Sequence, residues 1–169
     1  FQLLWLNYPN NPTGAVAPLS FFEKAVEFAL KNKIVIANDA PYMDVCFDGY
    51  RAPSILEVDG ARDVAVEFNS LSKTYNMAGW RLGMAVGNEK IISYLHTYKS
   101  QTDSSHFTAV MDAGAAALLG DQSWIGKRND TYRHRRNIVV NELLRAGFDV
   151  TPPPAAIYVW ARLPRRFTD

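Results

Sequence analysis

The sequence is poor in cysteine and histidine and contains no long hydrophobic run. Its 169 residues include one cysteine, Cys46, so no internal disulfide can form, which is typical of a reducing, cytoplasmic setting. The three histidines, His96, His106 and His134, show no metal-ligand spacing to one another or to Cys46, and we predict no metal site. No run approaches the roughly 20 apolar residues of a membrane span, so we expect no membrane partner.

The chain also lacks an excess of charge of either sign. Its 18 basic and 17 acidic residues leave a formal net charge of +1, which gives no electrostatic argument for nucleic acid or an anionic surface. The basic stretch YRHRRN, residues 132–137, lies in a predicted helix close to Asp130 and Glu142. We therefore interpret this stretch as a solvated helix face and expect no nucleic-acid partner.

Three short apolar runs rich in β-branched residues predict strands of a mostly parallel sheet, in an α/β fold flanked by helices. They begin near residues 1, 34 and 64 and become polar at Asn7, Asn38 and Asn69. Such near-continuous apolar runs are typical of strands that are covered on both faces. Residues 19–33 have helical spacing of their apolar side chains, with Ser20 as the expected N-cap, so the first two strands form a βαβ unit.

The remainder of the chain predicts one more strand, at residues 81–88, and then mainly helices. These helices span residues 88–101, 104–120 and 121–147, the last with Asp121 as its N-cap and Gly147 as its stop signal. The tail, residues 148–164, predicts a strand preceded by prolines. We expect a division into residues 1–120 and 121–169, the second part beginning a smaller α+β lobe. The absence of an initiating Met is what we expect of a piece of a longer protein.

Polar side chains follow all three strands, where the binding crevice of an open α/β sheet lies. They are Asn11 after the first, Asp39 and Tyr42 after the second, and Ser70, Ser72, Lys73 and Arg81 after the third. This set suits pyridoxal 5'-phosphate. A lysine forms a Schiff base with its aldehyde, and a carboxylate keeps the pyridine nitrogen protonated. A phenol and an amide bind its phenolic oxygen, while hydroxyls and a guanidinium bind its phosphate.

Three blocks resemble signature motifs of the fold-type I, class I and II aminotransferases: NYPNNPTG, NDAPY and NSLSKTYNMAGWRLG. The resemblance implies that residues 1–120 belong to a pyridoxal-phosphate-binding large domain. It also implies a role for each candidate residue. Asn11 and Tyr42 bind the phenolic oxygen, Asp39 the pyridine nitrogen, Lys73 the aldehyde, and Ser70, Ser72 and Arg81 the phosphate. Pro12 is a candidate for a cis peptide bond, as is common in the family.

The resemblance implies transfer of an amino group between an amino acid and a 2-oxo acid, in a parent protein that is a homodimer. The branch most resembled contains LL-diaminopimelate, alanine and aspartate aminotransferases, which favours diaminopimelate or a similar donor. One departure is the run Ala155, Ala156 and Ile157, where the family commonly has a glycine followed by an aromatic residue. This departure leaves the side-chain preference open.

Other interpretations remain for these residues and for the chain. Lys73 in isolation is most simply a solvated surface lysine, and Asp39 or Asn11 alone a turn residue; Trp80 is most simply a core residue. A carbon–sulfur lyase of the same fold would share every cofactor residue. The sensor domain of a transcription regulator would share the fold, and the isolated fragment could be an inactive scaffold.

Overall fold

The central element of the computed structural model, which describes residues 2–164 and 167, is a four-stranded sheet. Its strands are β1 (Gln2–Leu6), β2 (Ile34–Asp39), β3 (Ala65–Ser70) and β4 (Gly83–Gly87), adjacent in that order. β1, β2 and β3 are parallel, whereas β4 runs antiparallel to β3. The mostly parallel sheet predicted from the apolar runs is confirmed, and it brings the carboxyl ends of three strands to one edge.

Six α-helices connect or flank the strands in the described part of the chain. They are α1 (Leu19–Asn32), α2 (Ala61–Val64), α3 (Leu71–Thr74), α4 (Glu89–Thr102), α5 (Thr108–Leu119) and α6 (Trp124–Arg145). α1 joins the parallel strands β1 and β2, as the predicted βαβ unit requires. α3 follows β3 without an intervening loop, so the residues of this helix are held directly at the end of a core strand.

The main core lies between α1 and the sheet. Phe22, Val26 and Ala29 of α1 are buried with Ile36 of β2 and Ile55 of a short 3-10 turn. Burial of one such large aliphatic or aromatic side chain stabilises a fold by about 1.5–3 kcal/mol. This packing fixes β2 and therefore fixes the position of Asp39 at its end.

The tail of the chain returns to the segment that follows β2. Cys46 and Ala155 form an isolated antiparallel bridge, flanked by hydrogen bonds from Phe47 N to Pro154 O (2.8 Å) and from Ala156 N to Val45 O (2.9 Å). Further along, β5 (Asp149–Val150) pairs with β6 (Ala161–Arg162) in a two-stranded antiparallel sheet. The predicted tail strand is therefore limited to two residues, because the preceding segment pairs with the loop instead.

The expected helix caps are wrong at two N-termini. α1 begins one residue before Ser20, and Pro18 is its N-cap, with Pro18 O accepting from Phe21 N at 3.0 Å. α6 begins at Trp124 after Ser123, and Asp121 instead accepts hydrogen bonds from Ser123 N and Oγ in the preceding turn. The stop signal at Gly147 is confirmed, since this residue has a positive φ of 85° just beyond the end of α6.

Two further expectations need correction. Trp80 is 46% exposed and is not a core residue. Arg136, within the basic stretch that we interpreted as a solvated face, is 8% exposed. It donates to Asp48 Oδ2 (2.7 Å) and to Pro153 O (2.8 Å), because its side chain turns inward to join α6 to the tail. In residues 2–164 and 167, no helix combines the length and apolar character needed to cross a membrane.

Candidate active site

Lys73 lies in the single turn of helix, α3, that follows β3. Ser70 is the N-cap of this helix, and its Oγ accepts a hydrogen bond from Ser72 N at 3.2 Å. The side chain of Lys73 is partly buried, and its Nζ lies 5.7 Å from the ring centroid of Tyr42. Among the described residues, Nζ has neither a hydrogen-bond acceptor nor an ion-pair partner. A partly buried amine with no partner among the described residues is available to a ligand.

Asp39, the last residue of β2, is held by a residue that the sequence did not suggest. Asn7 Nδ2 donates to the backbone oxygen of Asp39 at 2.7 Å and to its Oδ2 at 3.3 Å. Burial raises the pKa of the Asp39 carboxyl above its ordinary value. Asn7 directly follows β1, so its place as the first polar residue after that strand was the available signal.

Asn7 also organises the loop that carries Asn11. Its Oδ1 accepts hydrogen bonds from Asn11 N (3.0 Å) and from Asn10 Nδ2 (2.9 Å). The Asn11–Pro12 peptide bond is cis, as the resemblance implied, and so is the Tyr8–Pro9 bond. The side chain of Asn11 is exposed and makes no hydrogen bond within the described residues. One asparagine thus ties the first candidate loop to the carboxylate at the end of β2.

Tyr42 is 2% exposed and contacts a second tyrosine from the tail of the chain. The hydroxyl oxygens of Tyr42 and Tyr158 are 2.6 Å apart, and the two rings meet edge to face with centroids 5.5 Å apart. Burial, the hydrogen bond with Tyr158 and the nearby charge of Asp39 raise the pKa of Tyr42, so its hydroxyl keeps its proton at neutral pH. No sequence pattern pointed to Tyr158, because 116 positions separate it from Tyr42.

Ser70 and Ser72 precede Lys73 at the start of α3, and Arg81 lies eight positions after Lys73. The hydrogen bond from Leu71 N to Leu82 O, 3.2 Å long, brings the backbone beside Arg81 next to α3. The Arg81 side chain is exposed and donates from Nη1 to Ala78 O at 2.9 Å. The structure therefore brings the backbones of these three residues together, whereas the guanidinium contacts neither serine.

The donor set has the chemistry that pyridoxal phosphate requires. A lysine amine with no partner among the described residues lies close to a protonated phenol, and a carboxylate acts on that phenol electrostatically. Two serines stand at the start of the helical turn that carries the lysine. Among residues 2–164 and 167, no cluster of three or more histidine, cysteine, aspartate or glutamate side chains could hold a metal ion. By their chemistry, an amine can capture an aldehyde and a carboxylate can hold a proton on a ring nitrogen.

Comparison with protein families gives a match over nearly the whole chain. The sequence profile described as "Aminotransferase class I and II" matches residues 1–168. The LL-diaminopimelate aminotransferase of Dehalococcoides mccartyi is 50% identical over 167 residues, which are 99% of this chain and 43% of that protein. The protein of the same name from Moorella thermoacetica is 48% identical over the same shares of both chains. The chain thus spans less than half the length of these curated relatives.

Solved structures show the same fold. Substrate-bound BacF from Bacillus subtilis superimposes with a TM-score of 0.93 at 37% identity, over 98% of this chain and 42% of that one. A probable N-succinyldiaminopimelate aminotransferase from Thermus thermophilus gives a TM-score of 0.88 at 39% identity, over 96% of this chain and 44% of that one. The α/β architecture and its mostly parallel sheet are therefore those of known aminotransferase structures.

Proposed function

This chain belongs to the class I and II aminotransferases, and we propose that the protein containing it transfers an amino group from an amino acid to a 2-oxo acid. The family depends on pyridoxal 5'-phosphate. The observation that carries the proposal is the meeting of Lys73 and Tyr42, where an amine with no partner among the described residues lies 5.7 Å from the ring of a buried phenol. Asp39 is close enough to influence that phenol electrostatically.

Pyridoxal phosphate, when bound, supplies a conjugated ring that accepts the electron pair left on the substrate's α-carbon. Lys73 Nζ would hold the cofactor at its aldehyde carbon, with loss of water, and as a free amine it would act as the base that accepts the proton of the substrate's α-carbon. Asp39 holds a proton on the ring nitrogen through its carboxylate. Tyr42 and Asn11 donate hydrogen bonds to the ring's phenolic oxygen.

Ser70, Ser72 and Arg81 bind the phosphate in this proposal. Ser70 is the N-cap of α3, and Ser72 lies within this helix directly before Lys73. The Leu71–Leu82 hydrogen bond brings the backbone beside Arg81 next to α3, and the guanidinium of Arg81 supplies the positive charge. Its exposed side chain must leave Ala78 O to reach an anion beside the serines. A guanidinium suits a phosphate because its N–H groups can donate two parallel hydrogen bonds.

We propose LL-diaminopimelate, or an amino acid of similar charge and length, as the amino donor. This is supported by relatives that are 44–50% identical and are named LL-diaminopimelate aminotransferases. We also propose a role in amino-acid biosynthesis. Ala156 and Ile157 lie beside Tyr158, so this segment is positioned to affect the preference for the donor's side chain.

We also make proposals on the oligomeric state, the location and the domains of the whole protein. We propose that the whole protein is a homodimer, as the resemblance of its motifs to the family implies. Action on small molecules in the cytoplasm, without nucleic acid or membrane, is supported by the even charge and the one free cysteine. We also propose that residues 121–169 begin a second domain, since β5 and β6 form a sheet separate from the main one.

The test uses the full-length protein loaded with pyridoxal phosphate. A panel of amino donors that includes LL-diaminopimelate, alanine and aspartate is offered with 2-oxoglutarate, and glutamate formation is measured. We expect glutamate with at least one donor and none in Lys73→Ala. Formation of pyruvate and ammonia without an oxo-acid acceptor would identify a lyase. Cofactor binding without turnover of any donor would identify a sensor, and either result would overturn the proposal.

A further inference from the structure

We propose that Tyr158 is a positioning residue that orients the Tyr42 hydroxyl toward the cofactor and donates a hydrogen bond to it. This inference rests on the proposed function, because it assigns to Tyr42 the task of binding the cofactor's phenolic oxygen. The contact itself is direct, with 2.6 Å between the two hydroxyl oxygens. In this way a residue of the tail contacts the candidate site, although 116 positions separate it from Tyr42 in the sequence.

The segment that carries Tyr158 is fixed to the loop that carries Tyr42. Hydrogen bonds from Ala156 N to Val45 O (2.9 Å) and from Phe47 N to Pro154 O (2.8 Å) pair the two segments. Ala156 has a positive φ of 67° and is 1% exposed, so the chain turns sharply just before Tyr158 and is held there by packing. Because both backbones are paired, the two segments hold Tyr42 and Tyr158 close to each other.

The direction of the proton follows from the valence of a hydroxyl. A tyrosine O–H has one proton to donate and lone pairs with which to accept. When Tyr42 donates that proton to the phenolic oxygen of the cofactor, its own oxygen can only accept from Tyr158. A hydrogen bond accepted by a hydroxyl strengthens the one it donates, because each bond polarises the next. Tyr158 therefore makes Tyr42 a stronger donor to an ionised oxygen.

The groups facing Tyr42 come from three elements. Asp39 at the end of β2 acts on it electrostatically, Lys73 of α3 has its Nζ 5.7 Å from the ring, and Tyr158 of the tail binds its hydroxyl. In the described part of the chain, Tyr158 is the hydrogen-bond partner of the Tyr42 hydroxyl. Replacing it removes a hydrogen bond and leaves the charges around Tyr42 as they were.

The experiment uses the full-length protein loaded with pyridoxal phosphate and follows its absorption spectrum as a function of pH. The bound cofactor changes its spectrum when it takes up a proton, and a donor to its phenolic oxygen lowers the pH midpoint of that change. We expect Tyr158→Phe to raise the midpoint by about 0.5 pH unit, roughly a threefold change in proton affinity. Tyr42→Phe should raise it by about 1–2 pH units, since it removes a bond to an ionised oxygen.

The double variant separates a relay from two independent contacts. If Tyr158 acts through Tyr42, Tyr158→Phe adds nothing to the midpoint once Tyr42 is phenylalanine. Tyr50→Phe is the matched control. The Tyr50 hydroxyl donates to Ala17 O, with 3.3 Å between the two oxygens, and makes no contact with Tyr42 among the hydrogen bonds of the described residues. This substitution should leave the midpoint unchanged. An unchanged midpoint in Tyr158→Phe, or additive shifts in the double variant, would overturn the inference.

Failure of the proposed function is distinguishable in the same experiment. A wild-type protein that shows no cofactor spectrum at any pH would overturn both the proposed function and the inference. A wild type with a normal titration and an unresponsive Tyr158→Phe overturns the inference alone. Phenylalanine keeps the ring that packs against Tyr42, and the backbone pairs of the tail do not involve the hydroxyl. Thermal unfolding of each variant verifies that the site remains folded.

Discussion

Arg128 of α6 donates a hydrogen bond of 2.8 Å from its Nη1 to the backbone oxygen of Lys73. The same guanidinium also binds the backbone oxygens of Thr74 and of Asp44, the latter at 2.7 Å from Nη2. Arg128 is 8% exposed, and burial lowers the pKa of its guanidinium from its ordinary value. It satisfies carbonyl groups at the end of α3 that the helix itself cannot pair. A buried cation on α6 thus holds the backbone that carries the candidate nucleophile.

Replacing Arg128 by methionine should destabilise the protein and loosen α3. The change removes the Arg128 donor from the carbonyls of Lys73 and Thr74, so we expect the free energy of unfolding in urea to fall by about 2–4 kcal/mol. Arg133→Met is the matched control on the same helix. Arg133 pairs with Asp130 at 3.0 Å, and the two side chains are 46% and 69% exposed. Arg133→Met should therefore lower the free energy of unfolding by less than about 1 kcal/mol. Equal losses of unfolding free energy in the two variants would show that Arg128 does not stabilise the backbone of α3.

Gly14 couples the first candidate loop to the tail. Its φ is +70°, and a Cβ added there would lie 2.6 Å from Pro153 Cβ. Gly49 has a similar φ of +78° but open space around it, which makes Gly49→Ala the matched control. Both alanine variants should lose about 1–2 kcal/mol of unfolding free energy for their backbone conformation. Gly14→Ala should lose a further 1–3 kcal/mol, roughly, from the clash. Equal losses of unfolding free energy in the two variants, measured by denaturant titration, would contradict the close approach of Gly14 to Pro153.

Glu57 gives a prediction for stability at acid pH. Hydrogen bonds from Arg51 and from Ser54 N lower the pKa of Glu57 to about 2, against an ordinary value of 4.5. A lowered folded-state pKa stabilises the protein above the unfolded value, and this contribution disappears as the pH falls from 4.5 towards 2. Wild type should therefore lose more stability than Glu57→Gln between about pH 5 and about pH 3. Parallel pH dependences in urea unfolding would disprove the link.

Asp39→Asn should weaken retention of pyridoxal phosphate. An amide cannot hold a proton on the pyridine nitrogen as a carboxylate does, so a charge-assisted hydrogen bond is lost. We expect the dissociation constant for the cofactor to rise by about 10- to 100-fold in equilibrium dialysis. Asp112→Asn, at an exposed position on α5, is the control and should bind as wild type does. An unchanged affinity of Asp39→Asn for pyridoxal phosphate would show that Asp39 does not bind the cofactor.

The sequence was sufficient for those parts of the structure that are encoded locally. The parallel strands follow from continuous apolar runs, and Asp39, Tyr42 and Lys73 stand in contiguous motifs at the ends of those strands. Asn7 could also have been predicted as a site residue, because it is the first polar residue after β1. Its hydrogen bond to Asp39 nevertheless depends on the register of two strands, with Leu6 paired to Asn38.

The long-range contacts could not be predicted in the same way. Tyr158 and Arg128 reach the site from 116 and 55 positions away, and no local pattern distinguishes them from other aromatic and basic residues. The incorrect caps have a different cause. A serine or aspartate near a helix start is a good candidate by its chemistry alone, but the actual start was set by Pro18 and by the turn before Trp124. Such starts depend on backbone conformation, which a short polar motif does not determine.

The most direct test of the central assignment is to reduce the full-length protein with borohydride in the presence of pyridoxal phosphate and map the modified residue by mass spectrometry. Borohydride fixes the covalent link between a lysine and the cofactor. We expect the modification at Lys73 and its loss in Lys73→Ala, whereas Lys33→Ala, at an exposed position after α1, should react as wild type does. Modification of a different lysine, or equal labelling of wild type and Lys73→Ala, would contradict the assignment of Lys73 as the residue that binds the cofactor.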